Sequence, residues 1–161
     1  MDISGVVKFG PIGGKSDLVF TYPAAASQAF KNLGGFFVKL DSNERIDLAD
    51  SGDTEIIGWA YYSELTTSAT AGNTSVPVDI GLDRCYLLPT DAVQTETQLR
   101  GLVGHTCDLI VSAGGLQQAD IGESNEDVLQ IVDYMIWGTA ATQQGVIVRL
   151  NPIKIGASGV V

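Results

Sequence analysis

FFVKLDSNERIDLADSGDTEIIGW, residues 36–59, decides how the chain is read. Val38 and Leu40 are apolar around a polar Lys39. Ile46 and Leu48 resume that alternation after Asp41-Ser42-Asn43-Glu44. A period of two marks strands with one buried face. Asp, Ser and Asn favour the intervening turn, because their side chains bond nearby backbone and tolerate unusual φ. The spacing predicts a hairpin with a loop of about four residues. Asp50-Ser51-Gly52-Asp53 predicts a second turn, and Glu55 to Tyr62 a third strand with Ile57 and Trp59 on one face. Three such strands in sequence predict a meander. A meander cannot bury its own apolar face, so other strands must cover it.

The rest of the chain supplies those strands. Asp83 to Leu88, Cys107 to Ser112, Val128 to Tyr134 and Val146 to Leu150 are each short, apolar and bounded by turn residues. Val76 to Ile80 alternates, but Pro77 cannot donate to a ladder, which predicts an edge strand. Leu18 to Tyr22 is β-prone and stops at Pro23, and Ala24 to Phe30 predicts a single turn or an irregular link. Ser63 to Ser75 has the composition of an exposed loop. Thr90 to Gln98, Leu99 to Gly104 and Leu116 to Asn125 read as polar or Gly-punctuated links. Ile153 to Ile155 reads as a brief further pairing. No amphipathic helix of ordinary length is visible.

The sum is roughly eight to ten short strands between turn signals. The fold class is all-β: a compact antiparallel β-barrel or sandwich, which alternation alone does not separate. Residues 1–18, with Gly5, Gly10, Gly13, Gly14 and Pro11, predict an extended N-terminal arm. Residues 19–161 then form a single β-barrel-like domain.

Composition narrows the function classes. The chain has 161 residues with 45% hydrophobic content, enough for one real core. Its net charge is −10 and its pI about 4.2. Nine Lys and Arg are scattered without a cluster, so a nucleic-acid partner is not expected. No apolar run is long enough to span a bilayer, so no membrane partner is expected either. Met1 to Gly5 lacks the basic-then-apolar pattern of a secretory signal. This predicts a soluble protein made inside a cell, with Cys85 and Cys107 free and buried rather than bridged.

The candidates for chemistry are weak. His105 and Cys107 are two apart, and an imidazole beside a thiol can make a nucleophile. The simpler reading is a buried cysteine acting as a small hydrophobe. Asp41, Asn43 and Asp47 echo a calcium loop. Ile46 stands where the glycine is needed, however, and Gly52 where the final Glu is needed. Gly13-Gly14-Lys15-Ser16 resembles the tail of a phosphate loop, but its first glycine would fall at Phe9. Trp59, Tyr61 and Tyr62 could stack on sugars, and otherwise Trp59 belongs to the core. No metal, cofactor or catalytic set is expected.

One resemblance covers residues 18–155. It runs through Ala29-Phe30, Gly35-Phe36-Phe37-Val38 and Leu40-Asp41-Ser42-Asn43. It continues in Leu48-Ala49-Asp50-Ser51-Gly52-Asp53, Ile56-Ile57-Gly58-Trp59-Ala60, Leu87-Leu88-Pro89-Thr90-Asp91-Ala92 and Val103-Gly104-His105-Thr106-Cys107-Asp108-Leu109. In this order the chain resembles the head decoration, or cement, proteins of tailed bacteriophages. The resemblance implies a non-enzymatic structural protein on the outer surface of the virion, assembled in the host cytoplasm. Its partners would be the major capsid protein and copies of itself, a trimer favoured and a dimer possible. It would clamp neighbouring capsid subunits against the pressure of packaged DNA. The residues chosen for capsid or subunit contact are Val6, Val7, Phe9, Lys15, Phe20 and Tyr22. The alternative is a β-rich carbohydrate- or receptor-binding module of a virion, and a third reading is a hydrolase using Cys107.

Overall fold

The computed structural model describes residues 10–13, 18–30, 35–61, 65–122, 125–138 and 143–155. Two open antiparallel sheets dominate. The larger has six strands in the order β1 (Gly10–Gly13), β9 (Cys85–Leu88), β13 (Gln144–Leu150), β12 (Leu129–Ile136), β10 (Thr106–Val111) and β11 (Gln117–Asp120). The second has five, in the order β2 (Val19–Pro23), β8 (Ser75–Asp79), β6 (Gly58–Ala60), β4 (Phe36–Leu40) and β5 (Ile46–Leu48). A small third pair joins β3 (Ala29–Phe30) to β7 (Leu65–Thr66). Neither large sheet closes on itself, so the arrangement is sandwich-like and not a barrel.

The five-stranded sheet is the middle layer. Phe37 and Trp59 enter a core shared with Tyr86, Leu88, Leu109, Ile131 and Val148 of the six-stranded sheet. Phe36, Val38, Ala60, Val76 and Val78 enter a second core with Phe30 of β3. The stretch Phe36-Phe37-Val38 is therefore buried on both faces, which is why it reads as a continuous apolar run. Beyond Val38 the strand emerges from the core, with Lys39 half-buried and Leu40 exposed, so the expected inward position of Leu40 is corrected. Trp59 and Tyr86 stack at 5.0 Å, and Phe37 meets Trp59 edge-on at 4.9 Å. Such aromatic pairs add to the stabilisation from burial alone.

The predicted hairpin is present: Val38 pairs with Leu48, Lys39 with Asp47 and Leu40 with Ile46. Its turn is held by Asp41, whose Oδ1 accepts the N–H groups of Asn43 (2.8 Å) and Arg45 (3.0 Å). These bonds, together with the Arg45 guanidinium, hold the Asp41 carboxyl below its ordinary range.

Other expectations are corrected. The third strand is not a meander partner of β5; it lies on the far side of β4, with Phe37 opposite Trp59. It is also shorter than predicted, and the chain before it is irregular. Ile56 and Trp59 thus enter the first core, whereas Ile57 packs on the second. β8 is internal despite Pro77. Pro77 C=O accepts from Tyr61 N–H (3.1 Å), so its missing donor faces the place where the β6 ladder ends.

The link at 99–104 is largely helical. α1 (Glu96–Leu102) starts at a capping box, in which Thr95 and Gln98 satisfy each other's backbone N–H. Its buried residue is Leu99. The polar stretch at 116–125 contains β11, and 152–155 is a helical turn, α2 (Pro152–Ile155), rather than a strand. Part of the expected arm is also structured: β1 pairs antiparallel with β9.

Candidate interaction surface

Val6, Val7, Phe9 and Lys15 lie outside the described residues. Phe20 and Tyr22 are brought together on β2. The sequence Val-Phe-Thr-Tyr has the branched and aromatic side chains that suit a pleated surface, and Pro23 ends it. Phe20 stands opposite Val78 and Tyr22 opposite Val76, so both share the face of the second core. Tyr22 packs on that core, whereas Phe20 is 50% exposed at the sheet margin. Leu18 and Val19 beside it are also about half exposed.

Hydrogen-bond direction along β2 follows from its flanks. Ile80 N–H donates to Leu18 C=O (3.0 Å), and Ala24 N–H donates to Thr74 C=O (2.8 Å). In an antiparallel ladder the groups of alternate residues point the same way. The even-numbered residues of β2 therefore bond β8, and the N–H and C=O groups of Val19 and Thr21 point outward.

Beside this strand sits a buried carboxylate. Asp79 pairs across the sheet with both Val19 and Trp59. Its Oδ2 accepts from the Tyr61 hydroxyl (2.8 Å), and its Oδ1 accepts from Gly81 N–H (2.9 Å). Arg84 Nε lies 3.3 Å from Oδ2, and Arg84 Nη2 donates to the Tyr61 oxygen at 2.9 Å. Burial pushes the Tyr61 hydroxyl above its ordinary range. A buried charge needs such partners. The network ties β6, β8 and the turn into β9, so its role is to stiffen the sheet behind β2.

The chemical candidates fare differently. Cys107 is fully buried, and burial pushes its thiol up to about 12, so it stays protonated at neutral pH. His105 is exposed in the turn before β10, and its C=O accepts from Ile131 N–H (2.9 Å). The pair forms no nucleophile. Cys85 and Cys107 are both free; Cys107 is buried as expected, whereas Cys85 is only partly buried. Trp59 has no exposed surface, so it cannot stack on a sugar; Tyr61 is 36% exposed, and Tyr62 lies outside the described residues.

Two polar devices were not anticipated. Gln117 of β11 is buried, and its Nε2 donates to Phe37 C=O (2.9 Å) and Ala49 C=O (2.8 Å). Its Oε1 accepts from Phe37 N–H (2.7 Å). One side chain thus bolts the six-stranded sheet to β4. It also floors an open cleft of about 370 Å³, lined by Gln28, Lys39, Asp47, Asp50 and Val111. Lys39 there is already paired with Asp53 at 2.7 Å.

The second device is Asp108 of β10. It accepts from the N–H groups of Asn125, Glu126 and Asp127 at 2.9, 3.1 and 2.7 Å. Burial alone would raise its pKa, but these donors outweigh burial and hold it below the ordinary carboxylate value. Gln117 is a polar residue at an inward strand position, in alternation with the core residue Ala119, whereas Asp108 lies on the face of β10 opposite Cys107 and Leu109 and is covered by residues 125–127.

No family model, curated protein or solved structure matches this chain.

Proposed function

We propose that the protein is a non-enzymatic structural component of a tailed-phage virion. It binds the outer surface of the expanded capsid and cements neighbouring capsid subunits. The observation that carries this reading is the architecture. Three layers of short strands are locked by two cores, and the side chains that could have carried catalysis or sugar stacking, Cys107 and Trp59, are core members. A rigid block of this kind suits a clamp, and the resemblance quoted above supplies the partner. Val6, Val7, Phe9 and Lys15 are the candidates for capsid contact, and Phe20 and Tyr22 for contact between subunits. Many copies on one shell turn a modest contact into firm attachment. The shell is stabilised by mass action, because the protein binds its assembled state best.

The test is co-sedimentation with expanded capsids that lack the protein, followed by heating of decorated and bare shells. Saturable pelleting and a raised disruption temperature are expected; protein left in the supernatant at saturating shell would refute the reading. Deleting residues 1–9 probes the proposed capsid contact without touching β1.

A further inference from the structure

The two large sheets end in four edge strands, and three of them are closed. β1 carries Pro11 and a register shift between Pro11 and Gly13. β5 is covered by the chain before β3: Ala25 N–H donates to Ile46 C=O (2.8 Å), and Leu48 N–H donates to Gln28 Oε1 (3.2 Å). β11 is covered by 89–91: Ala119 N–H donates to Pro89 C=O (2.9 Å), and Asp91 N–H donates to Ala119 C=O (3.0 Å). Proline, bulges, charges and covering segments are the usual means by which proteins prevent unwanted strand pairing. Among the described residues β2 has none of them along Val19 to Tyr22. It has one neighbour among the described residues. Its outward N–H and C=O groups belong to Val19 and Thr21, its Val19 and Phe20 are half exposed, as is Leu18 just before it, and Thr21 and Pro23 are exposed.

We propose that β2 is a self-association edge, at which two copies pair β2 against β2 in antiparallel fashion about a two-fold axis through Phe20. In this register Val19 faces Thr21 of the second copy, and each pair exchanges both hydrogen bonds. The four outward donors and acceptors of one strand find the four of the other. Phe20 meets its own symmetry mate at the closely spaced, non-hydrogen-bonded position. An axis at Thr21 would instead set the Val19 carbonyl against Pro23, which has no N–H to give.

The occupant is a second copy because the surface is self-complementary, as a two-fold interface requires. Charge points the same way. The chain carries −10, so copies repel over most of their surface, yet Leu18 to Pro23 contains no charged residue. Two-fold pairing makes a dimer, not the trimer that the resemblance favours. The contact is small beside the roughly 1,200 Å² of a standard interface, so the dimer is reversible and concentration-dependent.

Sedimentation equilibrium of the isolated protein tests this without any capsid, so its outcome is separate from that of the cement reading. A monomer–dimer equilibrium is expected. Thr21→Pro removes one outward donor per copy, two of the four bonds, and should weaken dimerisation about tenfold or more. Val19→Lys places a charge on the exposed edge without altering the backbone, and should weaken it comparably while leaving the thermal transition in place. A wild-type protein that stays monomeric at every concentration would overturn the proposal, as would a dimer indifferent to both substitutions.

Discussion

On one side of the five-stranded sheet, the outward groups of β5 are taken by Ala25 and Gln28. On the other side, none of the described residues covers the outward groups of β2, and the strand between Leu18 and Pro23 is uncharged. The two edges share a sheet and a core face. They differ because the chain between β2 and β3 folds back across β5, where Ala24 bridges Ile46 in parallel. The same connection that closes one edge starts from the open one. Closing an edge takes chain length or a polar side chain; here both were used on the side that faces the third layer.

The largest disruption of a closed region should come from Gln117→Leu. The substitution leaves Phe37 N–H and Ala49 C=O buried and unpaired, since Gln117 is their partner across the sheets. A loss of about 2–4 kcal/mol is expected in denaturant unfolding. Acidification should act next. The folded-state pKa of Asp108 is depressed, so its contribution is fully present above the unfolded value of 3.8 and is lost as pH falls through the folded value. Asp108→Asn should therefore flatten the acid limb of a melting-temperature profile. Gln28→Ala removes the acceptor for Leu48 N–H and should cost about 1 kcal/mol. It also exposes β5, so light scattering should report more self-association than in the wild type. Val19→Lys should change stability by no more than about 0.5 kcal/mol, because it alters an exposed side chain on an edge, while reducing association.

Much of the fold is legible in the chain. The β4–β5 hairpin follows from period two and from Asp41. The strands at β9, β10, β12 and β13 follow from branched and apolar runs between turns. The order of strands does not follow, because alternation fixes which face is buried but not which neighbour lies beside it. β6 sits on the far side of β4 for this reason, and Pro77 is tolerated inside because the adjacent ladder ends there. β11 is hard to read because its inward residues are Gln117 and Ala119, one polar and one small, and Gln117 takes the place of a backbone partner. α1 was overlooked although Thr95-Glu96-Thr97-Gln98 is a capping-box pattern; its apolar stripe is only Leu99 and Leu102. Of the contact residues chosen from the sequence, Phe20 and Tyr22 fall on the open edge. Their β-prone character is readable, but that β2 has one neighbour among the described residues is not.

Residue-resolved amide exchange across a concentration series tests the contrast between the two edges most directly. Phe20 and Tyr22, bonded to β8, should exchange slowly at every concentration, as should Leu48 of β5. Val19 and Thr21 should exchange quickly in dilute protein and slow as the concentration rises, because among the described residues nothing in the same copy bonds their outward groups. If Val19 and Thr21 exchange at a rate independent of concentration, β2 is not the edge at which copies of this chain meet.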